Sequence, residues 1–374
     1  MVLGNVLYAL MLAFSLLIGT LVSIVPYMTE RTVVFGVRVP TSQLTGKSGD
    51  FASMISRMKK YYTIATLVVM ALVVSSLFTL ASTHALLAVS PLLIITLDFL
   101  VYLSVHYRMV GVKRAQGWSA ELNRTVSVDF VSDSGRLFPW AYAVPAFIVM
   151  AAIFAIGIAI YPSIPQTFPT HFGVNGQPNA FSTKSIPGVF LVGFISVPVT
   201  LLLVAMSFFI YRLPLRIDSS IPESEERASV FRERMSLMLL AIPAFINLTL
   251  LLASLEMWQI LPYSPYDVIV LLIPIIGLLI MVTVVSLMTG QMGANVKLRG
   301  TGNEAIRPPG SIVQPKDDDA FWRGGIVYFN RDDSRVLVPK RFGVGFTLNF
   351  GHPVSWLLIA IPLVIAVPLL FIAL

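Results

Sequence analysis

Eight stretches of this chain, each roughly a bilayer's thickness of helix, are almost free of charge: 3–27, 63–82, 85–105, 139–160, 187–211, 235–258, 267–289 and 353–373. About 20 apolar residues wound as a helix cross the roughly 30 Å hydrocarbon core of a bilayer. In lipid every backbone N–H and C=O needs an internal partner, and a helix provides one within the segment. The connecting segments alternate in charge. Of 26 Lys and Arg, 25 fall in 28–62, 106–138, 212–234 and 290–352, and the loops around Thr83, 161–186 and 259–266 hold only Lys184. A miscounted helix would scramble that alternation. The fold class expected is therefore an all-α polytopic membrane protein with about eight transmembrane helices. Lys- and Arg-rich loops stay in the cytoplasm, which places those four segments inside and both termini outside a cell (plasma) membrane.

Only 12% of the 374 residues are charged and 56% are hydrophobic, against about 25% charged in a soluble domain. The four basic segments carry 25 positive and 16 negative charges, a net of +9. In a soluble chain a pI near 9.6 would suggest nucleic acid. Here it points to basic loops facing anionic lipid, so the bilayer is the expected partner and nucleic acid is not. The absence of cysteine excludes disulfides, thiolate metal sites and thiol nucleophiles. The start, MVLGNVLYALML, has no Lys or Arg before its apolar run and is taken as the first membrane helix, not a cleaved signal.

Four units follow from this pattern. Residues 1–138 form a three-helix membrane unit with basic loops, and 139–290 a four-helix unit carrying the loop 161–188. Residues 291–352 form a cytoplasmic linker and a small β-hairpin, and 353–374 the last helix. The hairpin is expected because Phe342, Val344, Phe346, Leu348 and Phe350 alternate with small or polar residues, the pattern of a strand with one buried face. Its predicted partner is IVYFN at 326–330, across a turn at RDDS 331–334. The Phe-rich face would need cover from helix ends, the rest of the loop or lipid headgroups. Segments 29–62, 106–138 and 213–234 are expected to be solvated or headgroup-facing, the last with a short helix beginning near Pro222.

Groups able to carry chemistry are sparse. No HExxH, CxxC, GxSxG or phosphate-binding Gly-rich loop occurs. His84, His106, His171 and His352 are divided between the two faces, so no metal centre, cofactor or catalytic set is expected and the chain is not taken for an enzyme. Asp98 lies well inside the third span. A buried unpaired carboxylate costs several kcal/mol, so Asp98 is either a proton or cation site or a neutral acid bonded to a neighbouring Ser, Thr or Tyr. Glu256 lies near the outer end of the sixth span beside Trp258, a headgroup-level residue. Lys184 can pair with Glu256, meet a ligand carboxylate, or snorkel to the interface. Asn247 is expected to serve helix packing.

The loop YPSIPQTFPTHFGVNGQPNAFSTKSIPG at 161–188 is stiffened by five prolines, and VNGQP within it reads as a tight turn. It is expected to be ordered and packed on the bundle. It would act as a recognition element or as a re-entrant structural cap, the former favoured because functional residues concentrate on loops held by rigid scaffolds. The ligand-binding set drawn from it and its surroundings is His171, Asn175, Gly176, Pro178, Lys184 and Glu256.

That loop resembles the signature of the SdpI-related, bacteriocin-immunity-like family of membrane domains of unknown function, through Pro165, His171, Gly176, Pro178 and Lys184. DDDAFWRGGIVYFNRDDSRVLVPKRFGVGFTLNFGHP at 317–353 looks like a second uncharacterised domain that ends the longer members. FGVRVP and VKRAQGW also look like features of those members. The resemblance implies a non-enzymatic immunity- or receptor-type protein, with a peptide or envelope-stress ligand outside and a regulatory protein inside. A small-solute or proton-coupled transporter using Asp98 is the other expectation.

Overall fold

The computed structural model describes residues 2–30, 32–45, 50–79, 84–122, 129–131, 137–172, 178–213, 215–217, 224–261, 267–297 and 317–361. It is an all-α polytopic membrane protein with small strand pairs at the helix ends. The helices are α1 (Val2–Ile24), α2 (Thr41–Thr45), α3 (Asp50–Thr79), α4 (His84–Ala115), α5 (Trp118–Leu122), α6 (Val144–Ile160), α7 (Ile186–Arg212), α8 (Ser224–Met257), α9 (Asp267–Thr289) and α10 (353–361). Six segments are long and apolar enough to cross a membrane, built on α3, α4, α6, α7, α8 and α9. The uncharged α1, at 23 residues, coincides with the first predicted span. α10 begins the eighth, whose remainder lies outside the described residues.

Helices α1, α3 and α4 pack together, as do α6, α7 and α8, and α9 lies against α8 and touches α1. Lipid tails are as apolar as leucine, so close packing and hydrogen bonds must hold such helices together. Ser15 Oγ on α1 meets Ser90 Oγ on α4 at 2.8 Å, and Ser207 on α7 meets Ser236 on α8 at 2.8 Å. Asn247 on α8 donates to Ala146 O on α6 at 3.0 Å and to Thr200 Oγ1 on α7 at 2.9 Å. It is the packing residue the sequence suggested. Pro145 sits in the first turn of α6, where its missing N–H is harmless, whereas Pro91, Pro198, Pro243 and Pro274 lie inside helices.

The four basic segments meet at one end of the molecule. Strands β1 (Val33–Val34) and β2 (Val37–Arg38) form a hairpin. Strand β3 (Asp129–Val131) pairs antiparallel with β6 (Leu215–Ile217), tying the second basic segment to the third. The fourth contributes β7 (Trp322–Arg323) with β8 (Val327–Tyr328), and β9 (Leu337–Pro339) with β10 (Phe346–Leu348). Gln291 joins the first segment to the last: its N–H donates to Met28 O at 2.7 Å, and its side-chain amide bonds Gly345 in both directions. The exposed tyrosines and tryptophans among the described residues, Tyr27, Tyr61, Tyr107, Trp140, Tyr142 and Trp356, all lie at this basic end. Aromatic rings of this kind settle at headgroup level. Strands β4 (Thr167–Phe172) and β5 (Pro178–Thr183) form a hairpin at the opposite end.

Two expectations are corrected. The terminal hairpin exists, but its strand covers only Phe346–Leu348 and pairs with Leu337–Pro339, not with 326–330. Gly343 and Gly345 adopt φ of +88° and +110° and curl the chain away from an extended strand. The 326–330 stretch meets only the residues past the strand's end, through an isolated parallel bridge of Tyr328 to Asn349 and the Asn349 side chain's bonds to Asn330. The Phe-rich residues are covered by helices and by the β1–β2 turn: Phe346 lies 5.4 Å from Phe231 of α8, and Phe342 stacks on Phe35 of the turn and lies 4.2 Å, tilted, from Tyr102 of α4. Secondly, the basic segments are not solvated or headgroup-facing throughout. Phe35, Val37, Met109, Lys113, Trp118 and Arg232 are all buried.

Candidate functional site

The far-end hairpin is held at its base and open on one face. Phe168, fully buried, sits with Ile164, Val189, Met257 and Trp258, and the Trp258 indole donates to Val189 O at 3.1 Å. Ser185 caps α7 by accepting from Gly188 N at 3.2 Å, with Pro187 in the first turn, an arrangement that fixes where the helix begins. Lys184 is part of this base. Its N–H donates to Gln166 O at 2.8 Å, its ammonium donates to Pro162 O at 3.1 Å, and the ammonium lies 4.9 Å above the Tyr161 ring. On β5, Asn179, Phe181 and Thr183 point to solvent while their neighbours are half-buried. His171 is exposed opposite them, its Nδ1 2.5 Å from Asn179 Oδ1.

The predicted ligand set is therefore spread out. Thr167 pairs with Thr183 and His171 with Ala180, so His171 and Lys184 stand about four residues apart along the ladder, roughly 13 Å. Pro178 opens β5. Glu256 is buried in the last turn of α8, and the contacts of Lys184 are with Pro162 and Tyr161. Asn175 and Gly176, with the VNGQP turn, lie outside the described residues.

A second polar feature runs along α4. Asp98, Tyr102, Val105, His106, Met109 and Lys113 recur at helical spacing, and all are buried. Asp98 is 0% exposed, and both of its carboxylate oxygens lack a hydrogen-bond partner among the described residues. It lies within electrostatic reach of the buried Tyr62 phenol on α3, which donates to Val22 O at 3.3 Å. One turn on, Tyr102 donates to Gly324 O at 3.0 Å and Phe35 O at 3.4 Å, and His106 Nδ1 sits 2.8 Å from Phe35 O. Phe35 and Gly36 are the two turn residues of the β1–β2 hairpin, with φ of +47° and +79°, the pairing that favours a two-residue hairpin. A Cβ on Gly36 would stand 2.7 Å from Gly325 Cα and from the Tyr102 hydroxyl, so only glycine fits this contact.

The column ends in a charge clamp. The run Asp317-Asp318-Asp319 is gripped by cations from three parts of the chain. Lys113 of α4 meets Asp317 at 2.6 Å and Asp319 at 2.5 Å. Arg38 of β2 meets Asp318 at 3.1 Å. Arg341 bonds Asp318, Asp319 and Gly36 O, with its guanidinium 5.0 Å above the Trp322 ring. Burial by itself would raise the Asp318 carboxyl, but Arg38 and Arg341 outweigh it and hold the group well below the usual carboxylate range. Asp317 is likewise held low against burial, by Lys113. Burial opposes the charge on Arg38, and the carboxylates of Asp318, Glu30 and Asp319 overcome it and raise its pKa.

Residues 148–197 match a domain of unknown function (DUF1648), and residues 331–356 match a family of unknown function (DUF5808). The first match covers most of α6, the far-end hairpin and the first half of α7. The second covers β9, β10 and the start of α10. No curated protein and no solved structure matches the chain.

Within 331–356, Asn349 is the organising residue. It is fully buried and donates to Asn330 O, Asp333 O and Arg335 O at 2.8, 3.0 and 3.2 Å, while its Oδ1 accepts from Asn330 N and Gly351 N. Period-2 alternation placed Asn349 on a polar face and missed this role. Arg38, Lys113 and Arg341 were also missed. The available signal was FGVRVP, whose Phe-Gly pair marks a hairpin turn, and the DDD triplet, which needs nearby cations.

Proposed function

We propose that the protein is a non-enzymatic membrane receptor of immunity type, recognising a peptide or envelope-stress ligand through the 161–188 loop at the outer face. The observation that carries this reading is the hairpin's construction. Phe168, Trp258 and Lys184 fix its base, while Phe181, 59% exposed, stands on a rigid strand beside the His171–Asn179 pair. Exposed aromatics on preorganised backbone are the usual anchors of protein recognition. The loop's resemblance to the SdpI-related, bacteriocin-immunity-like family supports a peptide as the ligand class. The 25-to-1 distribution of basic residues supports an outer position for this hairpin and a cytoplasmic, anionic-lipid-facing position for the opposite end. There the cap of 317–350 would engage a regulatory protein.

The test is survival of a deletion strain, complemented with variants, under challenge by membrane-active bacteriocin-type peptides. His171→Ala and Phe181→Ala should each reduce protection at least several-fold at unchanged membrane abundance, with Asp98→Asn behaving as wild type. Equal protection by all three would overturn the receptor reading. The second reading, a small-solute or proton-coupled transporter, rests on the orphaned carboxylate of Asp98. It predicts the converse: flux in proteoliposomes lost in Asp98→Asn and kept in Phe181→Ala.

A further inference from the structure

We propose that Asp98 is the anionic ligand of a small monovalent-cation site, for an ion of sodium's class, at the meeting of α1, α3 and α4. This inference is independent of what the far-end hairpin binds and of whether any solute moves.

Asp98 sits about nine residues, or roughly 13 Å of helix, from the exposed Tyr107, and it is fully enclosed by protein. Both carboxylate oxygens lack a donor among the described residues. A proton would satisfy only one of them, whereas a hard cation engages both. Such ions take oxygen ligands such as carboxylates, carbonyls and hydroxyls, and the surrounding elements are rich in these. Ser15 on α1 meets Ser90 on α4, and these two helices run in the same direction through the bundle. Eight residues further along each stand Ser23 and Asp98, which places Ser23 at the level of the carboxylate. Ser23 is buried and lies in the last turn of α1, its hydroxyl donating to Thr20 O at 2.7 Å with its own lone pairs left over, and the chain runs on as a 3-10 turn over Val25–Tyr27. On α3, Tyr62 and Thr66 are both 0% exposed. The Tyr62 hydroxyl donates to Val22 O and the Thr63 hydroxyl to Ser23 O, which fixes α3 against the end of α1. The Tyr62 oxygen keeps its lone pairs for a ligand. The charged or titratable groups linked to this level are Tyr62 on α3 and Tyr102 and His106 on α4, with Arg341 and Asp319 beyond them.

An ion bound here would tie α1, α3 and α4 at one point, one turn from Tyr102 and hence beneath the β1–β2 hairpin and the charge clamp. Filling the site should therefore stiffen the unit that carries the clamp.

The experiment uses the full chain purified in detergent, unfolded by heat in sodium, lithium, potassium or choline chloride at one ionic strength, with direct binding of radioactive sodium as a second readout. The wild type should melt several degrees higher in sodium than in choline, saturably, and should bind sodium near one equivalent. Asp98→Asn should melt identically in all four salts and bind none. Tyr62→Phe, which keeps the ring and loses the oxygen, should fold and need several-fold more sodium for the same shift. If Asp98→Asn does not fold, Tyr62→Phe alone decides, and an unchanged sodium requirement counts against the site. Equal melting of the wild type in sodium and choline would overturn the proposal. So would a sodium effect that survives in Asp98→Asn, or a wild type that responds to pH at Asp98 but to no salt.

Discussion

At the scale of single residues, the chemistry concentrates where cations meet Asp317, Asp318 and Asp319. Lys113, Arg38 and Arg341 come from α4, β2 and the segment after β9, and each is held in place before it meets a carboxylate: Lys113 by its helix, Arg38 by a tight hairpin, Arg341 by Trp322 and Gly36 O. Such a pair set adds stability only because the carboxylates stay charged. Asp317 and Asp318 have folded pKa values below their unfolded ones, so their contribution is complete above the unfolded value of about 3.9 and is lost as pH falls through the folded values, which are lower still. The thermal midpoint in detergent should therefore stay flat from about pH 8 to pH 5 with respect to this clamp, and fall only below about pH 4. A fall between pH 7 and 5 that Asp318→Asn removes would contradict that order. Asp333, held at about 2 with Arg335 outweighing its burial, behaves in the same sense.

At the scale of elements, the hairpin of 167–183 is stable because it is not isolated. Two strands alone are marginal in water, and here Phe168 anchors them on the ends of α7 and α8. Phe168→Ala should cost about 3–5 kcal/mol, the usual price of emptying a buried aromatic site, whereas Phe181→Ala on the exposed face should stay within about 0.5 kcal/mol. Thermal unfolding of the two variants side by side reads the difference, and equal losses would mean that the hairpin is held elsewhere. The long helices were legible in the sequence because lipid imposes a length and a composition on them. The start of α8 was half legible: a short helix near Pro222 was expected apart from the span at 235–258, and the two are one helix, Ser224–Met257, opening on Glu225 and Glu226. The terminal strands were only half legible. Alternation found Phe346–Leu348, but the pairing depended on Gly343 and Gly345 taking positive φ, and a period-2 pattern carries no trace of that. Asp98 was singled out by depth alone, whereas the convergence of Lys113, Arg38 and Arg341 depends on a fold that brings positions 38, 113 and 341 together.

At the scale of the whole molecule, the chain is two helical groups under one cap. Phe342 packs with Phe35, Tyr62 and Tyr102 over α3 and α4, while Val344, Phe346 and Leu348 pack over α7 and α8, so a single loop spans both. The orientation expected from charge has a direct check, because the natural chain contains no cysteine. A cysteine placed at His171 should react with an impermeant maleimide on intact cells, and one placed at Arg331 only after permeabilisation. The reverse pattern would invert every assignment of inside and outside. The clamp also sets a timetable for synthesis. Arg38 and Asp319 hydrogen-bond across 281 positions of sequence, which at about 5–20 residues per second separates their emergence by roughly 15–60 s. For the last 206 positions of that interval, from Lys113 to Asp319, α1, α3 and α4 are already made, while Arg38, Lys113 and the Phe35 turn have no C-terminal segment to close over them. A nascent chain of this design must wait half-finished at the membrane, and a helper that shields a basic, aromatic surface would have its opportunity only then.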